Sequence, residues 1–120
     1  MAFKITEENY PVNYNLPDLV HGADWHWGFQ MFEDDGVTAQ NTTGYTCSMI
    51  IRSGLNGETY TTLTIGSGIT MTAASGLFNV DLDKAVIDTY DFQDAEYLVI
   101  LTTNTNDDIP LFIGRIRFAG

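Results

Sequence analysis

From residue 25 onward the chain alternates between apolar and polar positions. "DWHWGFQMFE" sets Trp25, Trp27, Phe29 and Met31 on one side and His26, Gly28, Gln30 and Phe32 on the other. A helix would also gather Trp25, Gly28, Phe29 and Phe32, so periodicity alone leaves both elements open. Aromatic residues favour strands and good helix formers are nearly absent, which decides for a strand. In "GYTCSMIIR", Tyr45, Cys47, Met49 and Ile51 point one way and Thr46, Ser48 and Arg52 the other, with Ile50 out of step. "ETYTTLTI" and "ITMTA" continue with β-branched residues. "LFNVDL" alternates Phe78, Val80 and Leu82 with Asn79 and Asp81, the pattern of a half-buried antiparallel strand. "EYLVILTTN" and "LFIGRIRFAG" complete the set. In the last, Phe112, Gly114, Ile116 and Phe118 share a face and Arg115 and Arg117 point outward.

Turn chemistry separates these runs. "DDG", "SGLNG", "GSG", "ASG" and "TNDDIP" carry the Gly, Asn, Asp and Pro that turns require. "DKAVIDTYDF" is the one stretch that reads as helical, for a turn or two with Asp83 as N-cap. Seven strands at about ten-residue spacing predict an all-β fold, an antiparallel β-sandwich of the immunoglobulin-like or jelly-roll-like kind. Residues 1–20 differ: Pro11 and Pro17 interrupt any central strand, because proline lacks the N–H a sheet ladder needs. They read as an extended arm that lies along the domain of residues 21–120 or reaches a neighbour.

Composition narrows function. A chain of 120 residues has room for one core. Sixteen Asp and Glu stand against five Lys and Arg, for a net charge of −11, and the cations do not cluster. Such a surface repels phosphate backbones and anionic lipid, so neither nucleic acid nor membrane is an expected partner. The single Cys47 excludes an internal disulfide and a thiolate metal cage. No secretory signal is expected at the N-terminus, and no apolar run approaches the ~20 residues of a spanning helix.

The order of these features resembles a known group. Asp35-Gly36, Thr43-Gly44-Tyr45-Thr46, Ile51-Arg52, Gly76 to Leu82, Tyr97 to Leu101 and Gly114 to Ile116 follow one another as in small β-sandwich domains of tailed-phage virion proteins. The resemblance is greatest to the N-terminal domains of baseplate upper proteins and related tail components. "QNT" stands where that group has an Asp-Leu pair before Thr-Gly. The resemblance implies an architectural protein: a subunit that associates with itself and with other virion proteins of the tail, baseplate, collar or head, located in the virion after synthesis in the host cytoplasm. It carries over no catalytic residue and no cofactor.

Candidate chemistry is sparse. The Trp25/Trp27/Phe29 stripe suits a sugar-stacking platform, as in an adhesin or carbohydrate-binding module, but same-face aromatics on a strand more often build core, each burying ~150–250 Å². Core is the preferred reading. Phe32, on the opposite face, and the arm residues Tyr10, Pro11, Tyr14 and Leu16 are the interface candidates. His21 and His26 lack convergent partners for zinc and read as ordinary surface histidines. Asp34, Asp35, Asp107 and Asp108 would be the calcium ligands if their loops met at one end. Their spacing is not that of an EF-hand, solvated turns are preferred, and no metal is expected. No nucleophile–base pair or selected carboxylate pair appears, so no enzymatic activity is expected.

Overall fold

The computed structural model describes residues 3–6, 11–33, 35–53 and 58–119. They form β1 (Phe3–Thr6), β2 (Val12–Asn13), β3 (Trp25–Phe32), β4 (Thr46–Arg52), β5 (Thr59–Ile65), β6 (Gly68–Thr72), β7 (Leu77–Leu82), β8 (Asp94–Thr102) and β9 (Asp108–Arg117). One helical turn, α1 (Lys84–Ile87), follows Asp83. Strands β3 to β9 are the seven that the alternation predicts; β1 and β2 come from the arm. Asp83 occupies the N-cap position without a side-chain cap bond. Instead the carboxylate of Asp24 accepts the Lys84 N–H at 2.8 Å, joining β3's entry to the helix.

The all-β class stands, with two corrections to its architecture. The strands belong to one nine-stranded sheet, in the order β1-β3-β7-β6-β5-β4-β8-β9-β2, rather than to two separate sheets. Nor is the pairing purely antiparallel, since β1/β3, β2/β9 and β5/β6 run parallel. Tight hairpins impose antiparallel neighbours, whereas the arm strands pair with partners distant in sequence and are free of that constraint. At β5/β6 the chain coils through Gly66 and Ser67 and carries on, so that Thr64 lies beside Gly68 and Ile65 beside Ile69. Gly68 has φ +96°, and a Cβ there would stand 2.6 Å from Leu63 Cδ2, so the corner requires glycine.

This corner lies in the middle of the sheet order, and the sheet is rolled about it. Trp27 and Phe29 on β3 have ring centroids 5.2 and 5.1 Å from Phe112 on β9, although five strands separate β3 from β9 in the ladder. The two halves therefore face each other across a shared core of Phe29, Met31, Met49, Ile51, Phe78 and Phe112, all fully buried. A bulge near Val99 and Ile100 shifts the β8/β9 register: Val99 pairs with Phe112 and Ile100 with Pro110. The bulge leaves Leu111 unpaired, which lets both Leu111 and Phe112 turn inward and accommodates proline within a strand. Sequence periodicity alone places Pro110 before the strand.

Candidate interaction surfaces

The arm comes first, because the sequence assigns it most of the interface candidates. Beyond β2 it keeps to β9: the Tyr14, Leu16 and Leu19 N–H groups donate to the Ile113, Arg115 and Arg117 carbonyls at 2.9, 3.0 and 2.7 Å. The donors are spaced by two residues and then by three, so the segment is an irregular edge strand, with Pro11 and Pro17 outside those three contacts. Gly114 makes the approach possible. A Cβ there would sit 2.2 Å from the Tyr14 carbonyl oxygen, which instead accepts the Tyr97 O–H at 2.5 Å. Burial holds the Tyr97 phenol protonated well above the ordinary tyrosine range.

Each interface candidate can now be placed. Pro11 is exposed, and Tyr14 is half-buried and stacked on Trp27 with centroids 6.1 Å apart. Leu16 and Phe32 are only 5% and 8% exposed, so both pack within their own chain. Tyr10 lies outside the described residues. The structure thus gathers Tyr14 and Leu16 along β9 and leaves Phe32 apart, beside Ala39 at the far end of β3.

The tryptophan stripe is mostly interior. Trp25 is buried, and its indole N–H donates to the Pro17 carbonyl at 3.0 Å. Trp27 is half-buried beneath Tyr14 and edge-on to Phe112. Trp25 has no exposed face for a stacked sugar, and Tyr14 stacks on Trp27 where a sugar would lie.

Titratable groups form local pairs. His26 on β3 lies directly across from Asp81 on β7, Nδ1 to Oδ1 2.6 Å; that hydrogen bond raises the imidazole pKa, helped by the charges of Asp81, Asp24 and Asp83. His21 stacks on Phe118 at 4.2 Å and stands 3.5 Å from Asp88. Asp35 accepts the Val37 and Thr38 N–H groups and the Thr38 hydroxyl, and those bonds, led by the Thr38 amide, lower its pKa. Asp107 and Asp108 accept from Thr105 and Thr102 at the β8/β9 hairpin. Asp34 lies outside the described residues, and among those described no three His, Cys, Asp or Glu side chains converge on a point. Cys47 is buried, and desolvation pushes its thiol up to about 12.

Sequence reasoning missed the outward face of β4, β8 and β9. Strand register aligns Ile50, Leu98 and Ile113 in one row and Arg52, Glu96 and Arg115 in the next. Ile100 and Pro110 pair beyond the apolar row, and Arg115 also bonds Asp94 at 3.1 Å. Between this face and the arm runs a groove of about 400 Å³ lined by Asn13, Asn15, Arg52, Glu96, Leu98 and Ile113. Two signals pointed there: Ile50 breaks its strand's alternation, and "YLVIL" is apolar at both parities.

No protein-family model matches the chain, and no curated protein matches it in sequence. A solved structure does match in fold: the N-terminal domain of phage TP901-1 ORF48. It superposes with a TM-score of 0.62 at 10% sequence identity, over 99% of this chain and 98% of that one. At that identity the likeness concerns the backbone, and the chain shares the all-β fold of a phage protein's N-terminal domain from end to end.

Proposed function

We propose that this chain is a structural module of a tailed-phage particle, an all-β subunit that associates with itself and docks on other virion proteins of the tail, baseplate, collar or head. The fold likeness to a phage protein domain, over nearly the full length of both chains, is the observation that carries this reading. We read the rolled sheet, with its two halves packed face to face, as a joined variant of the two-layer sandwich expected of such domains.

The surface chemistry supports the same role. Among the described residues, the titratable side chains His26 and Asp81, His21 and Asp88, and Arg115 and Asp94 meet in pairs at the surface, which suits a building block. A net charge of −11 keeps free subunits soluble before assembly and turns away nucleic acid and anionic membrane. The arm closes the β9 edge with its own backbone, protecting the sheet from unplanned strand addition. Glycan recognition through Trp25 and Trp27 is the weaker reading, because Trp25 is buried and Trp27 is half-buried against Tyr14 and Phe112.

Mass spectrometry of purified phage particles tests the proposal. The chain is expected in them at a stoichiometry set by particle symmetry; particles that lack it would sink the reading.

A further inference from the structure

We propose that the outward face of β4, β8 and β9 is the docking surface for a second copy of this chain, an inference that rests on the structural-module reading above. The first ground is charge. Among the described residues, the arginines Arg52, Arg115 and Arg117 all stand on this face, where register pairs Arg117 with Asp94 and sets Glu96 between Arg52 and Arg115; Asp108 stands on the same face at its other end, paired with Thr102. Three cations against three anions make the face neutral. Off this face the chain has only two basic residues, Lys4 and Lys84, against the described acids that run from Asp18 to Asp107. Two copies with a net charge of −11 each repel one another in most orientations. The neutral face is where they approach without that penalty.

The second ground is apolar content. Ile113 is 38% exposed, and Ile50, Leu98 and Ile100 are half-buried around it, so the centre of the face is aliphatic and its flank charged. An apolar centre with a polar rim is the usual anatomy of a protein–protein contact. The patch is modest. With strands ~4.8 Å apart and ~3.4 Å per residue, β4, β8 and β9 present on the order of 400 Å² per copy, which fits a weak pair reinforced in a larger assembly.

Sedimentation equilibrium of the full chain over roughly 1 μM to 1 mM tests the surface. We expect reversible dimerisation that strengthens with salt, because screening relieves the repulsion carried by the remaining surface. Ile113→Asp should weaken it at least ~10-fold, whereas Val37→Asp, at an 80% exposed site off this face, should leave it unchanged. Nitroxide labels on Ile113→Cys should report a short distance between copies, and on Val37→Cys a longer one; Cys47 is buried and does not compete for label. A chain that stays monomeric throughout, or a dimer indifferent to Ile113→Asp with distant labels at that site, would overturn the inference. A monomer found in particles sinks only this surface, and a dimer through Ile113 absent from particles sinks only the structural-module reading.

Discussion

Two aromatic clusters hold this molecule, and they are built on opposite terms. The central one joins Trp27, Phe29, Phe78 and Phe112, with Phe29 stacked on Phe78 at 4.9 Å and 12° and both fully buried. The end cluster joins Tyr60, Tyr90, Phe92 and Phe118, with Tyr60 on Phe92 at 4.7 Å and Phe92 on Phe118 at 5.3 Å, and only Tyr90 is buried. The central cluster is a dry seam between the two halves of the rolled sheet. The end cluster is a wetter cap, carrying hydroxyls, and it fastens the α1 loop and the tail of β9 to β5. Because Ile87 is fully buried while Val86 is exposed, α1 adds one side chain to the interior and otherwise serves to turn the chain toward the cap.

The comparison teaches that aromatic contact is not one quantity. A ring in the seam touches partners on every side, and its loss leaves a cavity that the sheet cannot close, since both walls belong to one hydrogen-bonded ladder. A ring in the cap already meets water on one side, and its neighbours can slide to cover the gap.

The largest test of that contrast is Phe29→Ala, expected to lower unfolding free energy by about 3–5 kcal/mol in urea titrations. A loss similar to that of a surface substitution would show that the seam is not the main brace. Phe92→Ala is expected to cost about 1–2 kcal/mol, reflecting half the burial. Should it match Phe29→Ala in the same assay, the distinction between seam and cap fails.

Tyr90→Phe is the smallest and most discriminating. The Tyr90 hydroxyl bonds Thr61, and removing it should cost about 1 kcal/mol or less at neutral pH. Burial raises the Tyr90 pKa above 10.0, with the Thr61 bond pulling the other way. A pKa higher in the folded chain means that stability is fully present below the unfolded value, near pH 10, and declines as pH climbs through the folded value. Tyr97, raised in the same direction by burial, adds to that decline. The wild type should therefore lose stability in alkali, Tyr90→Phe should lose less, and Phe29→Ala should keep the wild-type slope, since it removes no titrating group. Parallel slopes for wild type and Tyr90→Phe, measured by urea unfolding from neutral to about pH 11, would place the Tyr90 hydroxyl in water.

The two clusters also differ in how far the sequence announces them. Trp25, Trp27 and Phe29 sit at alternate positions of one strand, and Phe78 is the matching inward residue of "LFNVDL", so the seam could be read from a period of two. The cap takes Tyr60 from a strand, Tyr90 and Phe92 from a loop, and Phe118 from beyond the end of β9. No local pattern links residues so far apart; only the packing of the chain brings them together. Interface candidates followed the same logic. Tyr14 and Leu16 were legible as apolar residues of an extended arm, but not that Gly114 would clear a berth for that arm on β9. Parity puts Phe32 on the outer side, yet it is buried, with Ala39 bridged beside it.

By itself the sequence determined the seven main strands, most of their inward faces, the turn positions and the acidity, because these follow from side-chain period and local backbone preference within a few residues. The tertiary structure alone decided that the strands join in one rolled, mixed sheet, that the arm supplies strands at both ends of the ladder, and that the arginines share a neutral face. Those outcomes depend on pairings between distant segments, which many registers could satisfy locally and which the packing of the whole core selects.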